Sequence, residues 1–221
     1  MVRTALLGGS FNPIHYGHLV LADDVRERLS LERVLFMPAG EPPHKPVSEL
    51  APAADRYAMV RLAIADTPTF DVSDLELRRT GPSYTVDTVE ALGIPPDELF
   101  LVIGSETFLD LLSWREPRRL AAHCRIVVIP RAGSAFDADG AAARKVLREI
   151  GVDVIAAADT GEAADTGEAS ASGVIVVHAT SLPISASELR ARAAAGRSLA
   201  YRVPPPVATY IARHRLYGWP A

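Results

Sequence analysis

The chain has one cysteine, Cys124, and only two lysines, Lys45 and Lys145, among its 23 cationic side chains. A lone cysteine excludes an internal disulfide framework and a zinc site built from several thiolates. No apolar run reaches the roughly 18 residues that a membrane helix needs. The opening MVRTALLGGSF also lacks the long apolar core of a secretory signal. A cytoplasmic protein with no membrane partner is therefore expected. The formal net charge of -4 argues against a broad nucleic-acid surface. With 48% hydrophobic and 23% charged residues, whole-chain disorder is also excluded. A length of 221 residues suits one domain with a single sizeable core.

Short runs rich in Val, Ile and Leu recur along the chain: 4–7, 34–37, 99–103, 126–129 and 174–177. Their unbroken apolarity is that of strands buried on both faces of a parallel sheet. Segments with helical spacing lie between them, at 19–29, 56–65, 85–92 and 107–112. The tail is helical as well, at 185–195 and again at 207–216 after the prolines at 204–206. Strand–helix alternation predicts an α/β, Rossmann-like, doubly wound and mainly parallel sheet, here with a C-terminal helical portion. The expected organisation is a single domain spanning 1–221. A low-complexity surface insertion is expected at about 132–173, where ADTGEA occurs at 158–163 and again at 164–169. Two hexapeptides are too short for a solenoid, and 141–150 is open to a surface helix within the stretch.

The run Gly8-Gly9-Ser10-Phe11-Asn12-Pro13-Ile14-His15-Tyr16-Gly17-His18 follows the first expected strand and opens the first expected helix. That is the phosphate position of an α/β fold. Gly8 and Gly9 suggest a tight turn with close backbone approach to a ligand, and a helix amino end attracts anions. His15 and His18, three apart, can face one object, and either protonated or hydrogen-bonding imidazoles would neutralise developing charge. A His-x-x-His pair can also bind a metal, but no further ligands stand at suitable spacing. The glycine spacing of a dinucleotide fingerprint is absent.

GGSFNPIHYGH resembles the H-x-G-H signature of the nucleotidylyltransferase superfamily. Further segments match in order: Pro42-Pro43-His44-Lys45, Pro82 to Thr88, Gly104-Ser105-Glu106 followed by Trp114, Ile184 to Arg190, and Val207 to Tyr217. Together they look like the bacterial nicotinate-nucleotide adenylyltransferases, across nearly the whole chain apart from 132–173. The resemblance implies that ATP and nicotinate mononucleotide are the partners, giving nicotinate adenine dinucleotide and pyrophosphate in NAD biosynthesis. The mononucleotide phosphate would attack the α-phosphorus directly and in line. Magnesium would be the cofactor, held through substrate phosphates with no protein metal site. A homo-oligomer is left open.

The same resemblance implies site roles. His15 and His18 face the ATP phosphates, with His18 on the α-phosphate. Gly8, Gly9 and Ser10 line the phosphate turn. Lys45 and Arg190 join the histidines in catalysis, and Lys45 is notable as one of two lysines in an arginine-rich chain. Ser185, Ser187 and Arg190 form a second phosphate clamp, although Ser185 with Glu188 is also a helix-starting capping box. Phe11, Asn12, Lys45, Tyr84, Thr85 and Trp114 serve the mononucleotide, with Trp114 stacking on the pyridine ring. Packing alone would also account for Trp114, and Ser83 could instead lead a plain helix start over Tyr84 and Thr85. Gly104 and Glu106 lie towards a nucleotide ribose, where the family usually has Asp in place of Glu106. Arg131 either meets phosphate or ends the sheet. Competing functions are a phosphopantetheine adenylyltransferase, a non-catalytic nucleotide sensor and a metal-dependent hydrolase on the His pair.

Overall fold

The computed structural model describes residues 2–43, 47–131, 136–158 and 172–220. The elements in chain order are β1 (Thr4–Gly9), α1 (Tyr16–Arg28), β2 (Arg33–Pro38), α2 (Ala53–Ile64), β3 (Phe70–Val72), α3 (Thr85–Leu92), β4 (Leu99–Gly104), α4 (Ser105–Leu109), α5 (Pro117–Ala122), β5 (Arg125–Ile129), α6 (Ala141–Ile150), β6 (Val154–Ala158), β7 (Gly173–Val177), α7 (Ala186–Ala194) and α8 (Pro205–Arg213). The sheet order is β3-β2-β1-β4-β5-β7-β6. The pairings β1–β4, β4–β5, β5–β7 and β6–β7 are parallel. This is the Rossmann-like α/β fold that the apolar runs predict. The order reverses between β1 and β4, and open α/β sheets take ligands beyond the strand carboxyl ends at such a switch.

The chain divides into two compact units: Met1–Gly8, Ala22–Leu35 and Tyr84–Ser181 form one, and Gly9–Leu21, Phe36–Ser83 and Leu182–Ala221 form the other. In the first, every residue of β5 and β7 is buried, which is why both read as continuous apolar runs without alternation. Phe100 of β4 is fully buried, and the guanidinium carbons of Arg3 and Arg125 lie 5.1 and 5.5 Å from its ring centre. α3 ends at Gly93 with φ 61° and α6 at Gly151 with φ 77°, the left-handed helix stop that glycine adopts without strain. Cys124 is buried, and burial pushes its thiol up to about 12, so it stays a protonated core residue.

The second unit has its own core of Phe11, Ile14, Phe36, Met59, Val60 and Ile211. α8 opens on Pro205, where the missing N–H has no helical partner to lose.

Two departures from the sequence reading stand out. The 132–173 stretch is not a surface insertion throughout. α6 buries Ala143, Val146 and Ile150, and β6 pairs with β7 from Val154↔Val174 to Ala158↔Val177. Apart from Ala158, the duplicated hexapeptide lies outside the described residues. In addition, β3, β6 and α5 have no counterpart in the apolar pattern. β3 has only three residues, β6 is largely alanine, and α5 is a six-residue helix opened by Pro117.

Phe100→Ala is expected to lower unfolding stability by about 3–5 kcal/mol through the cavity it leaves. Val154→Ala, at a side chain 40% exposed, should cost under about 1 kcal/mol. Urea unfolding of both variants measures this, and equal losses would contradict the assignment of Phe100 to the core.

Candidate functional site

Within the second unit the turn after β1 is built around Phe11. Gly8 and Gly9 are the last two residues of the strand and have no left-handed φ. The left-handed position is Phe11, with φ 43°, followed by a cis Asn12–Pro13 peptide. The expected glycine turn is thus displaced by two residues. The chain is held on both sides of Phe11, at the peptide before it and at the peptide after Asn12. Arg56 Nη1 donates to the Ser10 carbonyl at 2.9 Å, and Arg190 Nη1 donates to the Asn12 carbonyl at 3.0 Å.

Asn12 is 3% exposed. Its Nδ2 donates to the Glu49 carbonyl, and its Oδ1 accepts the Ala51 N–H, both at 3.0 Å. Both polar ends of the side chain therefore hold backbone. Phe11 is buried, with its ring 5.8 Å from Phe36 and edge-on to His18 at 5.1 Å.

The two histidines meet face to face, with ring centres 3.7 Å apart and planes at 23°. Two charged imidazoles would repel at that distance. Burial removes the conflict: His15 is 7% exposed, and desolvation lowers its pKa from 6.5 to about 4. It is neutral at pH 7, and its Nδ1 is buried without a hydrogen-bond partner among the described residues. The His15 backbone N–H donates to His18 Nδ1 at 3.3 Å. An accepting Nδ1 carries no proton, so Nε2 is the donor nitrogen of His18. Gly17 is fixed by the same packing, since a Cβ there would sit 3.0 Å from His15 Nδ1.

α7 carries Ser185 as its N-terminal flanking residue, with Ser187 in its first turn and Arg190 one turn in. The expected capping box is not formed. Ser185 makes no side-chain cap, and its hydroxyl donates at 3.5 Å to that of Ser187. Both serines are exposed at a nine-residue helix amino end, where the backbone dipoles favour anions. Through Arg190 this helix is tied to the Phe11 turn. The structure thus gathers Ser10, Phe11, Asn12, His15, His18 and Arg190 in one connected cluster.

The first unit holds the remaining predicted residues. Tyr84 is the N-terminal flanking residue of α3 and Thr85 its first residue. Ser83 does not lead that helix, because its hydroxyl accepts the backbone N–H groups of Gly40 and Glu41 at 3.1 and 3.3 Å. Arg115, adjacent to Trp114, stacks its guanidinium 4.8 Å from the Tyr84 ring centre, so the half-buried Trp114 and Tyr84 belong to neighbouring segments. Gly104 precedes α4 and Glu106 lies in its first turn. The Glu106 carboxylate accepts from Arg131 at 3.0 Å, with both side chains exposed. Arg131 thus holds an exposed ion pair with Glu106. His44 and Lys45 lie outside the described residues.

Sequence reasoning passed over Arg56 and Arg115. Arg56 looks like a surface cation in the sequence and only its long-range contacts reveal otherwise, while Arg115 is exposed and shows itself only by its stack on Tyr84. Among the described residues, no group of three or more His, Cys, Asp or Glu is placed to hold a metal, and no helix is long and apolar enough to cross a membrane.

The cytidylyltransferase-like family matches residues 6–192. A protein of Geobacter metallireducens named "Probable nicotinate-nucleotide adenylyltransferase" is 45% identical over 223 residues, 98% of each chain. A protein of the same name from Symbiobacterium thermophilum is 43% identical, over 98% of this chain and 96% of its own. Among solved structures, "Plasmodium falciparum nicotinic acid mononucleotide adenylyltransferase complexed with NaAD" matches with a TM-score of 0.71 at 18% identity, over 100% of this chain and 99% of that one. The last likeness bears on the fold.

His15 also sets a pH dependence. Its pKa is about 4 when folded against 6.5 as the ordinary value, so the unfolded chain binds the proton more readily. Stability from this residue is complete above pH 6.5 and is lost as pH falls towards 4. Between pH 7 and pH 5 the loss is about 2 kcal/mol. His15→Gln should remove that part of the slope in urea midpoints at the two pH values. An unchanged slope would contradict the buried neutral His15.

Proposed function

The chain belongs to the cytidylyltransferase-like family and, within it, to the nicotinate-nucleotide adenylyltransferases, and from that premise we propose that it transfers the adenylyl group of ATP to nicotinate mononucleotide. The products are nicotinate adenine dinucleotide and pyrophosphate. The observation that carries the reading is the stacked His15–His18 pair in a turn that Arg190 ties to the amino end of α7.

The proposed step is one in-line displacement. An oxygen of the mononucleotide phosphate bonds to the α-phosphorus as the bond to the bridging oxygen of pyrophosphate breaks, and that oxygen takes the electron pair. The nucleophile is already an anion, so no general base is needed. Catalysis then rests on positioning and on stabilising charge as it moves towards pyrophosphate.

His18 Nε2–H is the proposed donor to the α-phosphate, and His15, neutral at pH 7, orients it. The backbone of Gly8, Gly9 and Ser10 and the amino end of α1 lie on the phosphate path. Ser185 and Ser187, the amino end of α7 and the guanidinium of Arg190 take the outgoing phosphates. Lys45 is proposed to neutralise them as a compact ammonium. Tyr84, Thr85 and Trp114 are proposed to hold the nicotinate ring, and Phe11 and Asn12 are proposed to serve the mononucleotide from the turn after β1. Gly104 and Glu106 are proposed to bind ATP, with Glu106 near the ribose, and Glu106 is paired with Arg131 at the surface.

Magnesium accompanies ATP in this scheme and neutralises phosphate charge. Neutral imidazole, hydroxyls and guanidinium are poor ligands for it, so phosphate oxygens and water would fill its shell. A cytoplasmic location, with neither nucleic acid nor membrane as partner, belongs to the same proposal.

Purified protein given ATP, magnesium and nicotinate mononucleotide should release pyrophosphate. No release overturns the proposal, and release with phosphopantetheine in place of the mononucleotide would favour the competing adenylyltransferase. His18→Ala should lower kcat by about 10²–10³-fold with an unchanged thermal melt, and near-normal turnover would remove its assigned role. Trp114→Ala should raise KM for the mononucleotide about tenfold and leave KM for ATP within about twofold. Equal effects on both would place Trp114 outside the nicotinate pocket.

A further inference from the structure

Arg56 has the largest side chain among those that are fully buried, and it is 1% exposed. A buried guanidinium is costly unless its donors are matched. Here backbone carbonyls from separate chain segments match them. Nε donates to Ala51 at 2.9 Å, Nη1 to Ser10 at 2.9 Å and Nη2 to Gly40 at 3.1 Å. Ser10 follows β1, Gly40 follows β2, and Ala51 precedes α2. One planar fork therefore sets the relative positions of the chain just past two neighbouring strands and the chain entering the helix that bears it.

The segments it gathers converge on the histidines. Ser10 is the residue before Phe11, which holds φ 43°. On the other side of Phe11, Arg190 grips the Asn12 carbonyl, and the Asn12 side chain grips Ala51, whose own carbonyl Arg56 holds. These bonds hold the chain before and after Phe11. Its ring, in turn, packs edge-on against His18, whose other face lies on His15. A packing arginine would need none of this. An apolar side chain of similar volume would fill the space, but it would take the guanidinium donor from one buried and two partly buried carbonyls.

We propose that Arg56 is a positioning residue for His18: it fixes the Ser10–Phe11 turn, and through the Phe11 ring the His18 imidazole, in the orientation that adenylyl transfer uses. It touches no substrate in this role. The proposal rests on the reading of His18 as the donor to the α-phosphate. Lysine keeps the charge but not the planar fork, and a single ammonium cannot point its donors at carbonyls on three sides of a flat group.

The test is to make Arg56→Lys and Arg56→Ala in the full chain and to follow histidine ring protons by NMR together with steady-state kinetics. Arg56→Lys is expected to melt cooperatively and to lose about 10²-fold in kcat, with both KM values within about threefold. Its His18 ring resonances should move, since the Phe11 edge and the His15 face displace them in the parent chain. Arg56→Ala should regain turnover when millimolar guanidinium chloride is added, and not with sodium chloride at the same ionic strength. Parent-like kcat in folded Arg56→Lys, unmoved His18 resonances, or a KM rise matching the loss in kcat would each overturn the proposal. If neither variant folds, with or without guanidinium, Arg56 serves packing alone and the proposal falls. If the parent chain itself releases no pyrophosphate, the functional reading fails, while the NMR comparison still decides whether Arg56 holds His18.

Discussion

An open sheet satisfies its own backbone only as far as the ladder runs. Beyond the strand ends every buried N–H and C=O needs another partner, and in the second unit side chains supply it. Arg56, Asn12, Ser83 and Arg190 together engage the backbone of Ser10, Asn12, Gly40, Glu41, Glu49 and Ala51. None of these bonds is worth more than a few kcal/mol. Their joint effect is to give loops after two strands and before one helix a single arrangement. The histidine stack, the left-handed Phe11 and the placement of α7 follow from it.

The electrostatics of the site are local. The chain carries a net charge of -4, which is unpromising for a binder of polyanions. The second unit nevertheless presents an exposed helix amino end with Ser185 and Ser187, and Arg190 on the same helix. His15 adds no charge there, because burial keeps it neutral at pH 7, and His18 presents Nε2 as its donor since its Nδ1 accepts from backbone. A neutral donor does not grip product as a fixed cation would, and it can still stabilise charge that appears only in the transition state.

Legibility in the sequence followed burial. β1, β2, β4, β5 and β7 are short runs buried on both faces and stand out as such. α6 reads only as a surface helix within an insertion, although Ala143, Val146 and Ile150 stand at helical spacing and are buried. β6 does not stand out, because alanine has little preference for strands and only its ladder with β7 makes it one. The motif residues were legible as a set, but several of their tasks were not. Asn12 looked like a ligand contact and holds backbone 37 and 39 residues away. Ser185 looked like half of a capping box, yet its hydroxyl turns to Ser187. Arg56 carries no signal at all, since an Asp-Arg pair early in a helix reads as a solvated face. Side chains that reach across the fold to bond backbone leave no period and no spacing in the sequence.

The grip of Arg56 on Gly40 and Ala51 also has an evolutionary side. These two residues bracket the stretch 41–50, which contains Lys45. With both brackets held by one guanidinium, the chain between them spans a closure whose end points do not depend on its own content. Doubling the length of such a loop adds only about 0.6 kcal/mol of closure entropy. Glu41 at one end is also held by Ser83, and Glu49 at the other by Asn12, so only the residues between those two could be gained, lost or exchanged while the histidines stay where they are. The side-chain grips on Gly40, Glu41, Glu49 and Ala51 thus separate the frame around the histidines from the content of the chain between them.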